Sequence, residues 1–122
     1  MEYVHTARDL HIYTVRKCVG FPKRYTFYCG QPIAECATRI HENVKCANSI
    51  YPSSKADYWL RREYMLKAYA DLHNIVSQIE VANELFGLKS DCMTFWMGLV
   101  EKERKLVKGA LKRDKERFGK LE

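Results

Sequence analysis

The chain has 122 residues and is 47% hydrophobic, which supports one modest core and excludes a disordered chain. Lys and Arg number 21 against 15 Asp and Glu, a net charge of +6. That balance suits an anionic partner, nucleic acid above all, or else a plain solvated basic surface.

Residues 3–19 read as a first helix, capped by Thr6 and Asp9 or starting earlier. Tyr3, Ala7, Leu10 and Thr14 keep helical spacing, with Val4, Val15 and Cys18 beside them. Gly20 ends this helix, and Pro22 suits the first residue of the next. Pro32 is harder to place. Inside a helix it lacks a donor and its ring meets the carbonyl of Tyr28. Either a short helix ends near Cys29 and a new one starts at Pro32, or one helix is kinked near Gly30–Pro32. No loop-like polar cluster interrupts residues 25–37, which favours the kink. From Ile33 a clear stripe runs through Ala37, Ile40, Val44 and Ala47 to about Ile50.

Tyr51-Pro52-Ser53-Ser54 is a turn into the longest helix, residues 53–87. Ser53 and Ser54 can cap it, and Asp57 follows Ser54 by three, close to a capping box. Met65, Ala68, Leu72, Ile75, Ile79, Ala82 and Phe86 form one unbroken buried face, and Gly87 ends it. At 1.5 Å per residue this is a rod of roughly 50 Å, which needs partners of similar length. Arg61 falls on the stripe itself, one turn before Met65. Trp59, Leu60 and Leu66 fall off it and make a second apolar patch. Another subunit or the bent second helix could cover that patch.

Gly87 to Ser90 is the next turn, with Ser90 as N-cap of a fourth helix, Asp91 to about Phe118. Its stripe reads Cys92, Phe95 or Trp96, Leu99, Leu106 and Ala110. The fold class is therefore all-α: an antiparallel, up-and-down four-helix bundle over residues 1–118, with a short tail at 119–122.

Little in the chain suggests catalysis. His5, His11, His41 and His73 are spread over three helices, with no HExxH, ExxH or Cys/His ligand cluster. Glu35, Glu42, Glu63, Glu80 and Glu84 fall off the core stripes, so no inward carboxylate set is expected. Cys36 and His41 as nucleophile and base are outweighed by their reading as packing residues. No catalytic residue, metal site or cofactor is expected. The five Cys are odd in number and show no CxxC, and Glu2, His5, Arg8 and Asp9 are unlike a signal peptide. A cytoplasmic protein with packing thiols is expected. No run approaches the roughly 18 apolar residues of a membrane span.

The basic residues are more telling. Arg16, Lys17, Lys23 and Arg24 cluster at the first turn among Tyr13, Phe21, Tyr25, Phe27 and Tyr28. Cations beside aromatics suit phosphate contact with base stacking. Lys102, Arg104, Lys105, Lys108, Lys112, Arg113, Lys115 and Arg117 crowd the last helix, with Glu101 spaced to pair with Lys105. The candidate nucleic-acid contacts are Arg16, Lys17, Lys23, Arg24, Tyr25, Tyr28, Lys102, Lys105, Lys108 and Lys112. Either set could instead be a solvated face.

The Phe21-Pro22-Lys23-x-Tyr25 turn, the Ile33–Ile50 helix, the long third helix and the basic fourth resemble a known group. It is the four-helix bundle family that includes 23S ribosomal RNA intervening-sequence proteins and the accessory variability determinant of diversity-generating retroelements. The likeness covers about residues 8–112. The intervening-sequence branch tends to carry Ala-Glu-Gly at the end of the second helix. This chain has Ala47-Asn48-Ser49, which favours the retroelement branch or another mobile-element branch. The resemblance implies a non-enzymatic pentamer with a positive surface that binds nucleic acid and a reverse transcriptase. It carries over no binding residues. A homo-oligomer through Trp59, Leu60 and Leu66, a pentameric ring or else a dimer, is the matching expectation.

Overall fold

A computed structural model describes residues 1–121. The tail expected at 119–122 ends on Glu122, which lies outside the described residues. Four α-helices follow in order: α1 (Glu2–Val19), α2 (Gln31–Ser49), α3 (Lys55–Phe86) and α4 (Ser90–Phe118). They form an antiparallel bundle in which α1–α2, α2–α3, α3–α4 and α4–α1 pack as neighbours. The short turns between them dictate this order, since a short link can only return the chain beside itself.

The kink in the second helix is real and has a defined form. A 3-10 turn at Lys23–Tyr25 runs into a π turn at Thr26–Gly30, and α2 continues from it without a break. The wider π turn lies immediately before Pro32, where a regular helix would set a carbonyl against the proline ring and ask for a donor that proline lacks. Pro22 stands just before this path, with φ −53° and ψ 138°.

The core follows the expected stripes on α1, α2 and α3. Leu10, Ile33, Ile40, Met65, Leu72, Ile75 and Ile79 are all buried to 1% exposure or less. Each such side chain stabilises the fold by about 1.5–3 kcal/mol. Val15 lies outside, at 39% exposure. The Ser54 hydroxyl caps α3 by accepting from the Asp57 amide at 3.2 Å, and Asp57 Oδ2 accepts from the Ser53 hydroxyl at 2.9 Å. These hydrogen bonds, those of Ser53 first, hold the Asp57 carboxyl below its usual range. Gly87 ends α3 at φ +74°, a conformation that needs glycine, and its amide donates to the Asn83 carbonyl at 2.9 Å.

The fourth helix buries Trp96 and Ala110 as expected but departs from expectation elsewhere. Its buried line is Trp96, Val100, Glu103, Val107, Ala110, Asp114 and Phe118. Leu99 and Leu106 are only half-buried, and so is Cys92, while Phe95 is exposed. Two carboxylates on the buried line concealed its true phase. Ser90 is also one residue inside α4, and the N-cap position is Lys89, which has no side-chain cap.

Polar groups inside the bundle mostly have partners. Trp96 donates its indole N–H to the Thr14 hydroxyl at 2.9 Å. Arg61, the cation on the α3 stripe, makes a two-pronged pair with Asp114: Nε to Oδ2 at 2.7 Å and Nη2 to Oδ1 at 3.2 Å. Its Nη1 donates to the Ile50 carbonyl at 2.9 Å. One guanidinium thus ties the start of α3 to the end of α4 and the end of α2. Arg39 and Asp71 link α2 to α3 in the same fork, at 3.1 and 3.2 Å. Three side chains are exceptions among the described residues: Arg62 Nη1 and Gln78 Oε1 are covered without a partner, and Glu103 is fully buried with neither carboxyl oxygen partnered.

Candidate nucleic-acid interface

The two basic regions lie at different heights of the bundle. The first-turn cluster sits where α1 ends and α4 begins. Lys105 comes fifteen residues after Ser90, so the α4 cluster starts roughly 22 Å further along the axis.

At the first-turn end, Arg16, Lys23 and Arg24 are exposed and make no ion pair among the described residues. Lys17 is different. Its ammonium lies 3.3 Å from Cys92 Sγ and 5.3 Å from the centre of the Tyr13 ring. The hydrogen bond with Cys92, and then Tyr13, raise its pKa above the usual lysine value. It is tied to the protein rather than open to a ligand. Tyr25 is also engaged, half-buried and stacked on Phe86 with ring centres 5.0 Å apart. It belongs to the core edge. Tyr28 does project, at 74% exposure, against Phe27 at 70%. The two rings meet edge-on, with centres 5.5 Å apart. The exposed aromatic surface at this end is therefore Phe27 with Tyr28.

The α4 cluster is brought together more sharply. A groove of about 650 Å³ between α3 and α4 is lined by six cations: Arg62, Arg104, Lys105, Lys108, Lys112 and Lys115. Leu111 supplies apolar wall, and no carboxylate among the described residues lines it. Three expected contacts, Lys105, Lys108 and Lys112, share this groove. Lys102 does not: it points toward α1, where its ammonium lies 3.9 Å from Glu2. Glu101 pairs with Arg104, whose Nε donates to Glu101 Oε2 at 2.9 Å, and so the spacing to Lys105 is not used. That pair raises the Arg104 pKa, with Tyr69 adding to it, and lowers that of Glu101. Lys105, Lys108, Lys112 and Lys115 are exposed and form no ion pair among the described residues.

Arg62 is the residue that sequence spacing missed. It is half-buried, forms no hydrogen bond or ion pair, and its Nη1 is covered and unpartnered among the described residues. Antiparallel packing puts the start of α3 beside the end of α4, and the Arg61–Asp114 pair one residue away joins the two helices at that level.

The apolar patch on α3 is uncovered. Trp59 is 54% exposed, with Leu60 at 45% and Leu66 at 44%. The bent second helix therefore does not shield it.

The nucleophile-and-base pairing of Cys36 with His41 is not formed. Cys36 is buried and donates to the Asp71 carbonyl at 3.3 Å, and burial pushes its thiol up to about 12. His41 instead meets His11, Nδ1 to Nδ1 at 3.0 Å. The Thr38 hydroxyl donates to the Ala34 carbonyl and accepts from His11 Nε2 at 2.9 Å. His11 Nδ1 then accepts from His41. Burial and the neighbouring His11 lower the His41 pKa. All five cysteines are free, with Cys18, Cys29 and Cys36 buried. No helix among the described residues is long and apolar enough to cross a membrane. Among known protein families, curated proteins and solved structures, none matches this chain.

Proposed function

We propose that the protein is a non-enzymatic, nucleic-acid-binding accessory protein, working in the cytoplasm beside a reverse transcriptase as its resemblance to the accessory variability determinant implies. The observation that carries this reading is the α3–α4 groove, where Lys105, Lys108 and Lys112 converge with no acid to neutralise them. Cations left unpaired on one concave surface suit phosphate oxygens. Contacts to phosphates fix position and carry no sequence information, so binding should be sequence-tolerant and fall steeply with salt. The uncovered Trp59, Leu60 and Leu66 support self-assembly into a ring, for which the resemblance suggests five copies. A ring would repeat the groove and strengthen a weak site through avidity.

The same apolar patch favours a second reading, a protein-interaction bundle of the intervening-sequence type with no nucleic-acid role. Filter binding of a structured RNA across a salt series separates the two. Lys108→Glu with Lys112→Glu should weaken binding by tenfold or more, and Lys23→Glu with Arg24→Glu should weaken it less. Lys120→Glu, at the chain end, should leave it unchanged. If the wild-type protein retains no RNA at low salt, the interaction reading replaces this one.

A further inference from the structure

We infer that the α3–α4 groove is built for a single strand of nucleic acid, with the Arg62 guanidinium as its inner phosphate anchor. The inference rests on the nucleic-acid reading above and narrows it to a ligand form and a residue.

The lining points to one strand. Arg62 is half-buried while the lysines beside it are exposed, so a phosphate must leave the rim to reach its guanidinium. A duplex holds its phosphates on a stiff cylinder and rests on the rim, whereas a single strand bends a phosphate inward. The rim is made by Lys105, Lys108, Lys112 and Lys115, all exposed. They follow one another at three, four and three residues along α4. That spacing places an ammonium about every 4.5–6 Å over about 15 Å of helix, the order of the separation between successive phosphates on one strand. Positive grooves that track a backbone are the usual means of holding single strands without regard to sequence.

Arg62 distinguishes the floor from the rim. It comes from the opposite helix, it is half-buried, and its donors have no partner among the described residues. A covered guanidinium nitrogen without an acceptor is costly, and a phosphate oxygen seated in the groove would satisfy the group. Arg104 lines the same groove but is already forked onto Glu101. That leaves five cations for phosphates. Leu111 gives the sugar face an apolar wall.

The test is fluorescence anisotropy of a labelled single-stranded oligonucleotide of about 12 nucleotides, and of the same sequence as a duplex, over a salt series. An RNA strand and a DNA strand are run in parallel, because both carry the same phosphate chain. For the single strand, five phosphate contacts set a ceiling of about 3.5 on the fall of log K with log salt. Arg62→Gln should weaken single-strand binding about tenfold and flatten the slope by about 0.7, while duplex binding stays unchanged. Lys108→Gln with Lys112→Gln should weaken both forms. Arg62→Lys should recover the slope but only part of the affinity. Circular dichroism checks that each variant keeps its helices. If Arg62→Gln unfolds, Arg62→Lys carries the test: it should lose affinity for the single strand and leave duplex binding unchanged. Wild-type binding with no change in Arg62→Gln, or a duplex held as tightly as the single strand, overturns the inference and leaves the nucleic-acid reading standing. No binding of any oligonucleotide at low salt overturns both.

Discussion

Removing the Glu103 carboxyl should make the protein more stable at neutral pH, and increasingly so as pH rises. Glu103 is fully buried on α4, with neither oxygen hydrogen-bonded among the described residues. Burial pushes its pKa from the ordinary 4.5 to about 9, opposed only by Lys102. The sign follows from which state holds the proton. Below pH 4.5 the carboxyl is neutral in both the folded and the unfolded chain, so folding pays no ionisation cost. Between 4.5 and 9 the unfolded chain ionises and the folded one does not, so stability falls as pH rises. The slope is about 1.4 kcal/mol per pH unit, which makes the loss about 3 kcal/mol at pH 7. Glu103→Leu keeps the volume, removes the titration and adds apolar contact. It should gain at least about 3 kcal/mol at pH 7, or roughly 10 °C in Tm. Glu103→Gln should gain less, because its amide remains unpaired. Urea unfolding followed by far-UV circular dichroism at pH 5, 7 and 9, at one fixed protein concentration, reads these differences. A Leu variant less stable than wild type at pH 7 would refute the reasoning. So would wild-type stability that does not fall from pH 5 to 8. Either result would mean that the carboxylate is charged and held by a partner.

Arg61→Ala should cost about 3–5 kcal/mol, because it strands the Asp114 carboxylate in a site where the pair is only 13% and 9% exposed; denaturant midpoints measure it. Ser54→Ala should cost about 1 kcal/mol by removing the hydroxyl that accepts from the Asp57 amide, read in the same titration. Trp59→Glu with Leu66→Glu should reduce any assembly to a 14.4 kDa monomer by light scattering with helicity retained, since both side chains face solvent within one chain.

The fold was legible because apolar spacing and turn chemistry agreed. On α2 and α3 the expected lines from Ile33 to Ala47 and from Met65 to Ala82 are the buried ones. The Ser54 cap and the Gly87 stop also needed nothing beyond local sequence. Pro32 announced a disturbance, but its form could not be read, since local sequence does not say whether the backbone ahead of a proline breaks or widens into a π turn. On α4 the spacing misled. Glu103 and Asp114 occupy core positions that no hydropathy pattern assigns to carboxylates, which shifted the expected line to Leu99 and Leu106. The candidate site divided along the same boundary. Lys105, Lys108 and Lys112 share a helix, so their common face followed from spacing. Arg62 joins them across a helix pair, and Lys17, Tyr25 and Lys102 are engaged by Cys92, Phe86 and Glu2, contacts with no trace in local sequence.

Under the proposed function, the groove cations also set stability against binding, and the two should respond to salt with opposite signs. Lys105, Lys108, Lys112 and Lys115 are three or four residues apart, where like charges destabilise a helix. An acid at one of those spacings would relieve the repulsion, yet Glu101 is held by Arg104, Glu116 four residues after Lys112 forms no ion pair among the described residues, and no carboxylate among them lines the groove. At low ionic strength the repulsion is hardly screened; at about 0.1 M salt the screening length is about 10 Å and part of it is lost. Free protein should therefore gain a few degrees in Tm between about 20 and about 300 mM salt, over the range in which nucleic-acid affinity falls. Lys108→Gln with Lys112→Gln should melt higher than wild type at low salt and converge with it at high salt. Thermal melts of both proteins at each end of the salt range measure this. A variant that melts lower than wild type at low salt would mean that these lysines are stabilised within the fold, through contacts along their stems, rather than held apart from one another for an anionic ligand.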